Sequence, residues 1–404
     1  MAQAVEYFRS VSRYVGARAV GSKAPGLVAG PLAPLRLVNR SDPEARLDGW
    51  ARVKPLLSGI CGSDLSLVAG RSSFYFSPLV SVPFVPGHEV VGELLDDCGD
   101  HAAGDRVVLA SVLGCAARGL PDLCPNCEAG DYGRCDRVTV GDLKPGLQTG
   151  YCADTGGGWS RMMLAHRSQL WAVPSEMDQR TAVLIEPLAC AIHSVFRARV
   201  PESADVLVIG AGTVGILTLI ALRRFANPGR VIVAAKHTRQ RGAATMAGAD
   251  EVVRPEHALK AVRRREHAVM LKPERGQEFL LGGSDVVFEC TGSSSALDMA
   301  LRTTKAGGRV VLSGIPGSGA DLTPLWFREL ELVGAYTSGM ETTDGDGGRR
   351  HSFALALEIA SQLGPVLDEL VGATYPLDRW REAIDHAMSA GKLGTFKVAF
   401  APQD

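Results

Sequence analysis

The apolar run Val206-Leu-Val-Ile209 leads directly into Gly210-Ala-Gly-Thr-Val-Gly215. A lone Gly-x-Gly-x-x-Gly is weak evidence. Here it closes an expected strand, opens an expected helix and is followed by a second strand at 231–234, which is the context the motif needs. Gly210 allows the tight turn, Gly212 lets a pyrophosphate approach the backbone, and Gly215 lets helix and strand pack closely. The helix N-terminus at Thr213, Val214 and Gly215 favours anionic phosphates. A chain with this segment is constrained to build a parallel sheet around it.

The rest of the pattern agrees. Helix 213–225 is followed by strands Val231–Ala234, Asp285–Glu289 and Arg309–Leu312, with helix 295–304 between the last two and a last strand at Leu332–Tyr336. Strands alternating with helices predict a doubly wound α/β unit. Residues 1–190 read differently: short β-type runs such as Val107–Ala110 and Leu170–Val173, separated by Gly, Pro and Asp, predict a mostly β unit. Between them, 178–199 reads as helical, with Asp178 as its start and Pro201 as its stop. A helix at 352–363 and a β segment at 396–400 close the chain, and 341–350 is a loop by composition. The basic stretch 254–283, with Lys260, Arg263, Arg264, Arg265, Lys272 and Arg275, is a nucleic-acid patch or a solvated helix face; a charge run alone favours the second.

Three short motifs carry metal-binding chemistry. Gly-Ile-Cys-Gly-Ser-Asp (59–64) offers Cys61, Pro-Gly-His-Glu (86–89) offers His88 and Glu89, and Ile-Glu-Pro-Leu-Ala (185–189) offers Glu186. One thiolate, one imidazole and two carboxylates form a borderline-soft set suited to zinc. Cys115, Cys124, Cys127 and Cys135 cluster separately, and in a reducing compartment such a cluster is better explained by metal than by disulfides. The other cysteines, Cys98, Cys152, Cys190 and Cys290, read as small apolar residues.

The residue after the second strand bears on the nucleotide. Enzymes that use NAD place Asp or Glu there for the ribose 2′-hydroxyl. This chain has Ala235, then Lys236, His237, Thr238 and Arg239. The carboxylate that would repel a 2′-phosphate is missing and cations that would attract it are present, so NADP(H) is expected over NAD(H).

Composition narrows the class. The 404 residues carry a net charge of −1, so no general field draws the chain to nucleic acid or an anionic membrane. No apolar run reaches transmembrane length; 206–222 comes closest, and Gly210, Gly212 and Gly215 break it. The N-terminus carries Arg9, Ser10, Arg13, Arg18 and Ser22 without an apolar secretory core, which leaves a transit peptide or, as the favoured reading, an ordinary opening β segment and a cytoplasmic protein.

Taken together the motifs resemble the zinc-dependent medium-chain dehydrogenase/reductase family from about residue 30 to 400, and Glu186-Pro-Leu-Ala-Cys-Ala-Ile-His193 is similar to its polyol, glucose and threonine dehydrogenase branch. The resemblance implies a GroES-like, mostly β catalytic domain, residues 1–191 with 338–404, and a Rossmann cofactor domain, 192–337. It implies that Cys61 and His88 ligate a catalytic zinc, with Glu186 and Glu89 as carboxylate candidates, directly or through water. Asp64 would orient His88, and Ser63 would be the first proton-relay group. Many relatives carry histidine where this chain has Ser66, so the usual relay is not expected, and a water chain from Ser63 through the cofactor ribose would be the substitute. The family's second zinc uses Cys-x2-Cys-x2-Cys-x7-Cys; here Pro121 stands at the first position, and Cys115 substitutes if Ala116–Leu123 loops out, or else is free. Cys290-Thr291 and Gly314-Ile315 would line the ribose and nicotinamide.

The expected activity is zinc-dependent hydride transfer between NADP(H) and a small-molecule alcohol or carbonyl, in a homodimer or homotetramer without nucleic-acid or membrane partners. Alternatives are an NADPH-dependent biosynthetic carbonyl or iminium reductase, a zinc-less quinone or enoyl reductase, and a non-catalytic nucleotide-sensing protein. The aromatic stretch 73–84 and Trp159 either wall a substrate pocket or serve packing and subunit contact.

Overall fold

The structure is a computed structural model that describes residues 2–21, 24–45, 47–266, 268–316, 319–343 and 348–404, with the side chains of Arg265 and Glu266 left out. The chain forms two compact units: Met1–Glu186 with Ser338–Met340 and Phe353–Asp404, and Pro187–Thr337 with Glu341–Ser352.

The second unit is built on six parallel strands in the order Glu251–Val253, Arg230–Ala234, Asp205–Ile209, Ser284–Glu289, Thr304–Leu312, Glu331–Gly334. Sequence order therefore reverses at Asp205–Ile209, the switch point where doubly wound sheets bind ligands. Val206, Leu207, Val208, Val231, Val233, Val287, Phe288, Val310 and Val311 are buried, as strands covered on both faces require. The helix after the glycine motif runs Thr213–Phe225, as its apolar pattern predicts.

The basic stretch divides into a helix and a ribbon. In helix Ala258–Glu266, Ala258, Ala261 and Val262 face the core. Arg264 lies outside and pairs with Glu251, which supports the solvated-face reading. The ribbon, Val269–Leu271 antiparallel to Phe279–Leu281, was not expected; its apolar triplets are too short to show a period of two. The 341–350 stretch is likewise not all loop. Met340–Thr342 pairs with Arg349–His351, and Asp344–Gly347 lie outside the described residues.

The first unit holds a seven-stranded sheet in the order Val371–Tyr375, Lys397–Phe400, Trp50–Gly59, Glu89–Leu94, Arg106–Leu109, Leu170–Ala172, with Met163–His166 also pairing on Trp50–Gly59. Ala51, Val53, Val90, Leu94, Val107, Leu109 and Met163 form its core. Two registers matter for the site: Gly59 lies opposite Glu89 on one side and opposite Ala399 on the other.

The opening segment is not only β. Strand Ala2–Tyr7 pairs antiparallel with Leu35–Arg40, and helices Val11–Val20 and Pro25–Ala29 lie between them. Ala17, Val28 and Ala29 pack in one cluster with Trp380, Ala383 and Ile384 of helix Trp380–Leu393. Arg13 donates to the Ala33 carbonyl at 2.7 Å and Arg18 to the Tyr14 hydroxyl at 3.1 Å. Ser22 lies outside the described residues. The helical stretch from 178 splits into Gln179–Ala182, capped by Asp178, and Ile185–Ala198, while helix 352–363 continues to Asp368. Among the described residues no helix is long and apolar enough to cross a membrane.

Candidate active site and metal centres

Cys61 is the N-cap of helix Gly62–Val68, and its backbone N–H donates to Asp64 Oδ2 at 2.9 Å. That bond closes the turn and holds the Asp64 carboxylate beneath the site. His88 and Glu89 follow Gly87 (φ +99), where a Cβ would fall 2.5 Å from the Trp159 ring. One ligand atom each from Cys61, His88 and Glu89 lies within 4.8 Å of the others. Asp64 Oδ1 faces His88 Nδ1 at 3.6 Å, just past hydrogen-bond length, and neither atom has another partner among the described residues. Two complementary buried atoms poised this way fit an imidazole that moves slightly to ligate through Nε2 while donating Nδ1–H to a carboxylate. Ser63 Oγ lies 3.4 Å from His88 Nε2, on the side of the ligand atoms.

Burial opposes a charged His88, but Asp64 and then Cys61 outweigh it and raise its pKa well above the ordinary range. Burial also raises the Asp64 pKa against the pull of His88. The imidazole therefore takes a proton readily, and a metal that ligated it would have to displace that proton.

Glu89 is already engaged. Lys397 Nζ donates to both its oxygens, at 2.7 and 2.5 Å, and to the Ile60 carbonyl at 3.4 Å. Burial lowers the Lys397 pKa, but Glu89 and Cys61 more than reverse this, so the group is an ammonium. Gly59 makes room: a Cβ there would meet Glu89 Oε2 at 2.0 Å. Glu186, buried in the first turn of its helix, does not join the close group, although its charge acts on both His88 and Lys397. Lys397 was absent from the sequence reading because nothing local marks it; it lies 308 residues from its partner. Tyr151, whose ring centroid lies 5.9 Å from that of His88, was missed for the same reason.

The four clustered cysteines also converge, with their sulfurs within 4.8 Å of one another. Cys115 caps the turn Ala116–Arg118 and Cys124 caps helix Pro125–Glu128, so the segment between them folds back and returns Cys115 to the group. Cys115 Sγ and Cys135 Sγ are 3.7 Å apart, far beyond disulfide length. Backbone N–H groups of Cys124, Cys115 and Arg137 point at the sulfurs of Cys115, Cys127 and Cys135 at 3.4–3.5 Å. A closed set of four sulfurs with N–H donors aimed at them fits a tetrahedral tetrathiolate centre.

At the nucleotide motif the glycines behave as their spacing predicts. Gly210 has φ +97, a Cβ on Gly215 would lie 2.0 Å from the Gly210 carbonyl, and one on Gly212 would meet nothing, leaving the helix N-terminus open. Glu289 Oε1 accepts from the Thr291 N–H at 2.7 Å and its hydroxyl at 2.6 Å, fixing the turn after its strand. A Cβ on Gly314 would sit 2.7 Å from the Gly292 nitrogen, so the Thr291 and Ile315 turns are in close contact. Burial pushes the Cys290 thiol up to about 12, leaving it neutral. Lys236 and Arg239 are exposed, and His237 caps helix Thr238–Met246. Arg241, missed in the sequence, donates to the Lys236 carbonyl at 2.9 Å and the Thr238 hydroxyl at 3.1 Å, holding that turn.

Trp159 and the 73–84 stretch differ in burial. Trp159 is fully buried and packs edge-on against Phe400, so it belongs to the core. In 73–84, Phe84 is buried and stacks on Tyr7, whereas Phe74 and Tyr75 are 70% and 78% exposed.

The chain matches two known domain families: the alcohol dehydrogenase GroES-like domain over residues 47–175 and the zinc-binding dehydrogenase domain over residues 213–348. It is 30% identical over 292 residues to a sorbitol dehydrogenase of Arabidopsis thaliana, covering 70% of this chain and 73% of that one. Among solved structures it resembles the 2R,3R-butanediol dehydrogenase of Bacillus subtilis, with 21% identity, TM-score 0.71 and full coverage of both chains. It equally resembles a zinc-binding dehydrogenase of Sinorhizobium meliloti bound to NADP, with 24% identity, TM-score 0.71, and 100% and 99% of the two chains covered.

Proposed function

Because this chain belongs to the zinc-dependent medium-chain alcohol dehydrogenase family, we propose that it moves hydride between NADP(H) and a secondary alcohol or polyol and the matching ketone. The observation that carries the reading is the convergence of Cys61, His88 and Glu89 with Asp64 behind the imidazole. Family membership makes the chain an alcohol dehydrogenase-type oxidoreductase with zinc and a nucleotide cofactor.

Cys61 and His88 would hold the catalytic zinc, with Glu186 or Glu89 as the carboxylate, directly or through water. Glu89 is tied to Lys397, which favours Glu186 for that role. Cys115, Cys124, Cys127 and Cys135 would hold a second, structural zinc. When bound, zinc supplies Lewis acidity toward the substrate oxygen and the nicotinamide supplies or accepts the hydride. The protein's own residues do the rest. Asp64 holds the proton of His88 Nδ1 and so fixes the ligating tautomer. Ser63 accepts a hydrogen bond from the substrate hydroxyl and passes its proton outward, a step that Ser66 cannot continue as a histidine would.

The Ala235–Arg239 turn supports NADP(H): no carboxylate, two exposed cations, and Arg241 bracing the loop. The solved relative bound to NADP is consistent with this. Polyol and diol substrates are suggested by the names of the relatives. The test is metal analysis of purified protein with parallel NADP(H) and NAD(H) titrations, then a screen of secondary alcohols, polyols and ketones. Two zincs per chain and tighter NADP(H) binding are expected; no zinc and no nucleotide binding would end the dehydrogenase reading.

A further inference from the structure

Arg118 is completely buried. It lies in the segment that separates Cys115 from Cys124, where this chain departs from the family's spacing. Its backbone N–H closes the turn on the Cys115 carbonyl at 3.1 Å. Its guanidinium donates to main-chain carbonyls only: Leu113 (3.2 Å), Val140 (3.3 Å), Leu143 (3.2 Å), Lys144 (3.3 Å) and Gly146. The 138–146 loop thus wraps the side chain. Gly141, at φ +96, comes so close that a Cβ there would meet the Arg118 carbonyl at 2.3 Å.

Carbonyls satisfy the N–H groups but do not neutralise the charge. Among the described residues no carboxylate hydrogen-bonds this guanidinium, and a buried cation with no anion nearby is costly. The acidic groups that act on it most are Cys152, Cys135, Cys115 and Asp154; Asp142, whose carboxylate lies against Gly119, is exposed to solvent. Asp154 is paired with Lys144 at 3.2 Å. Cys152 is buried against the Lys144 carbonyl, which keeps its thiol neutral. That leaves Cys115 and Cys135, both members of the sulfur cluster. Four thiolates around a divalent cation form a dianion, and a dianion one turn away is the missing counter-charge.

We propose that Arg118 is the built-in counter-charge of the four-cysteine centre, a positioning residue that ties metal retention to the fold of the 138–146 loop. The inference rests on the reading that this cluster holds metal. It also accounts for the altered spacing: the segment that moves Cys115 away from Cys124 in sequence delivers the cation that stabilises the cluster.

The test compares wild type, Arg118→Lys, Arg118→Gln and Cys124→Ala for zinc content and for the rate at which zinc is lost to a chelator. Cys124→Ala should hold one zinc fewer than wild type; equal content would sink the four-cysteine reading and this inference with it. If the wild-type cluster holds zinc, Arg118→Gln should release it about tenfold faster, because the anionic centre loses its counter-charge and the 138–146 loop loses its anchor. Arg118→Lys, which keeps the charge but not the fork, should stay close to wild type. Equal retention in Arg118→Gln, or equal loss in both variants, overturns the charge role. Should neither variant fold, hydrogen exchange on the wild type decides: stripping the metal should deprotect amides 138–146, and unchanged protection there overturns the proposal.

Discussion

Lys397 Nζ sits 2.7 and 2.5 Å from the two carboxylate oxygens of Glu89, and both side chains are buried. Strand register creates the pair. Glu89 lies opposite Gly59, Gly59 lies opposite Ala399, and the absent Cβ of Gly59 opens the space between them. The carboxylate beside Cys61 and His88 is thus balanced by the protein itself. Removing one partner of such a pair strands a buried charge. Lys397→Met should therefore lose about 3–5 kcal/mol of unfolding free energy. Adding Glu89→Gln should restore part of that loss, because the stranded carboxylate is then gone. Denaturant unfolding of the two single variants and the double variant measures both, and strictly additive losses would show that the contact carries no coupling.

Ser63 lies 3.4 Å from His88 Nε2. If its hydroxyl is the first proton carrier, Ser63→Ala should lower kcat by about 10²–10⁴-fold. Zinc content and nucleotide affinity should not change. Steady-state kinetics across pH, beside metal analysis, separate this from loss of the site; unchanged turnover would remove Ser63 from the relay.

Ala235 stands where a carboxylate would select NAD(H). Placing one there with Ala235→Asp should weaken NADP(H) binding by about tenfold or more through repulsion of the 2′-phosphate, and strengthen NAD(H) binding. Fluorescence titration of the two reduced nucleotides reads the ratio directly. A ratio that does not move would mean that the Lys236–Arg239 turn does not meet the ribose.

The parallel sheet and its glycine turn were legible because their signal is local. Four apolar residues, three glycines at fixed offsets and a helix apolar on several sides all lie within 205–225. Cys61, His88 and the four clustered cysteines were legible because ligand chemistry restricts residue type. What stayed hidden depends on register or on distance in sequence. Lys397 and Tyr151 become part of the site only when strands or loops far apart are brought together. Arg118 looks like any surface arginine until five carbonyls surround it. Helix Val11–Val20 was missed because its sequence has little amphipathic pattern and only Ala17 is buried; Trp380–Leu393 does have an apolar face, with Trp380, Ala383 and Ile384 buried, and that local signal was overlooked.

His166 gives a pH dependence separate from catalysis. It ends strand Met163–His166 and lies against Trp50, with ring centroids 5.6 Å apart. Its Nδ1 accepts from the Ser168 N–H at 3.2 Å, so the neutral ring carries its proton on Nε2. Burial, aided by Arg167, pulls its pKa down from 6.5 to about 4. Between those values the unfolded chain binds a proton that the folded chain refuses. Stability is therefore full above pH 6.5 and falls as pH drops toward 4. The loss should be on the order of 1–2 kcal/mol once solvent screening is allowed for. His166→Asn keeps an acceptor for the Ser168 N–H but cannot take up the proton. Thermal unfolding of wild type and variant from pH 7.5 to 4.5 should show the gap between them shifting in favour of the variant as pH falls. Parallel curves would mean that the ring protonates freely in the folded state, and that the burial seen at Trp50 does not persist in solution.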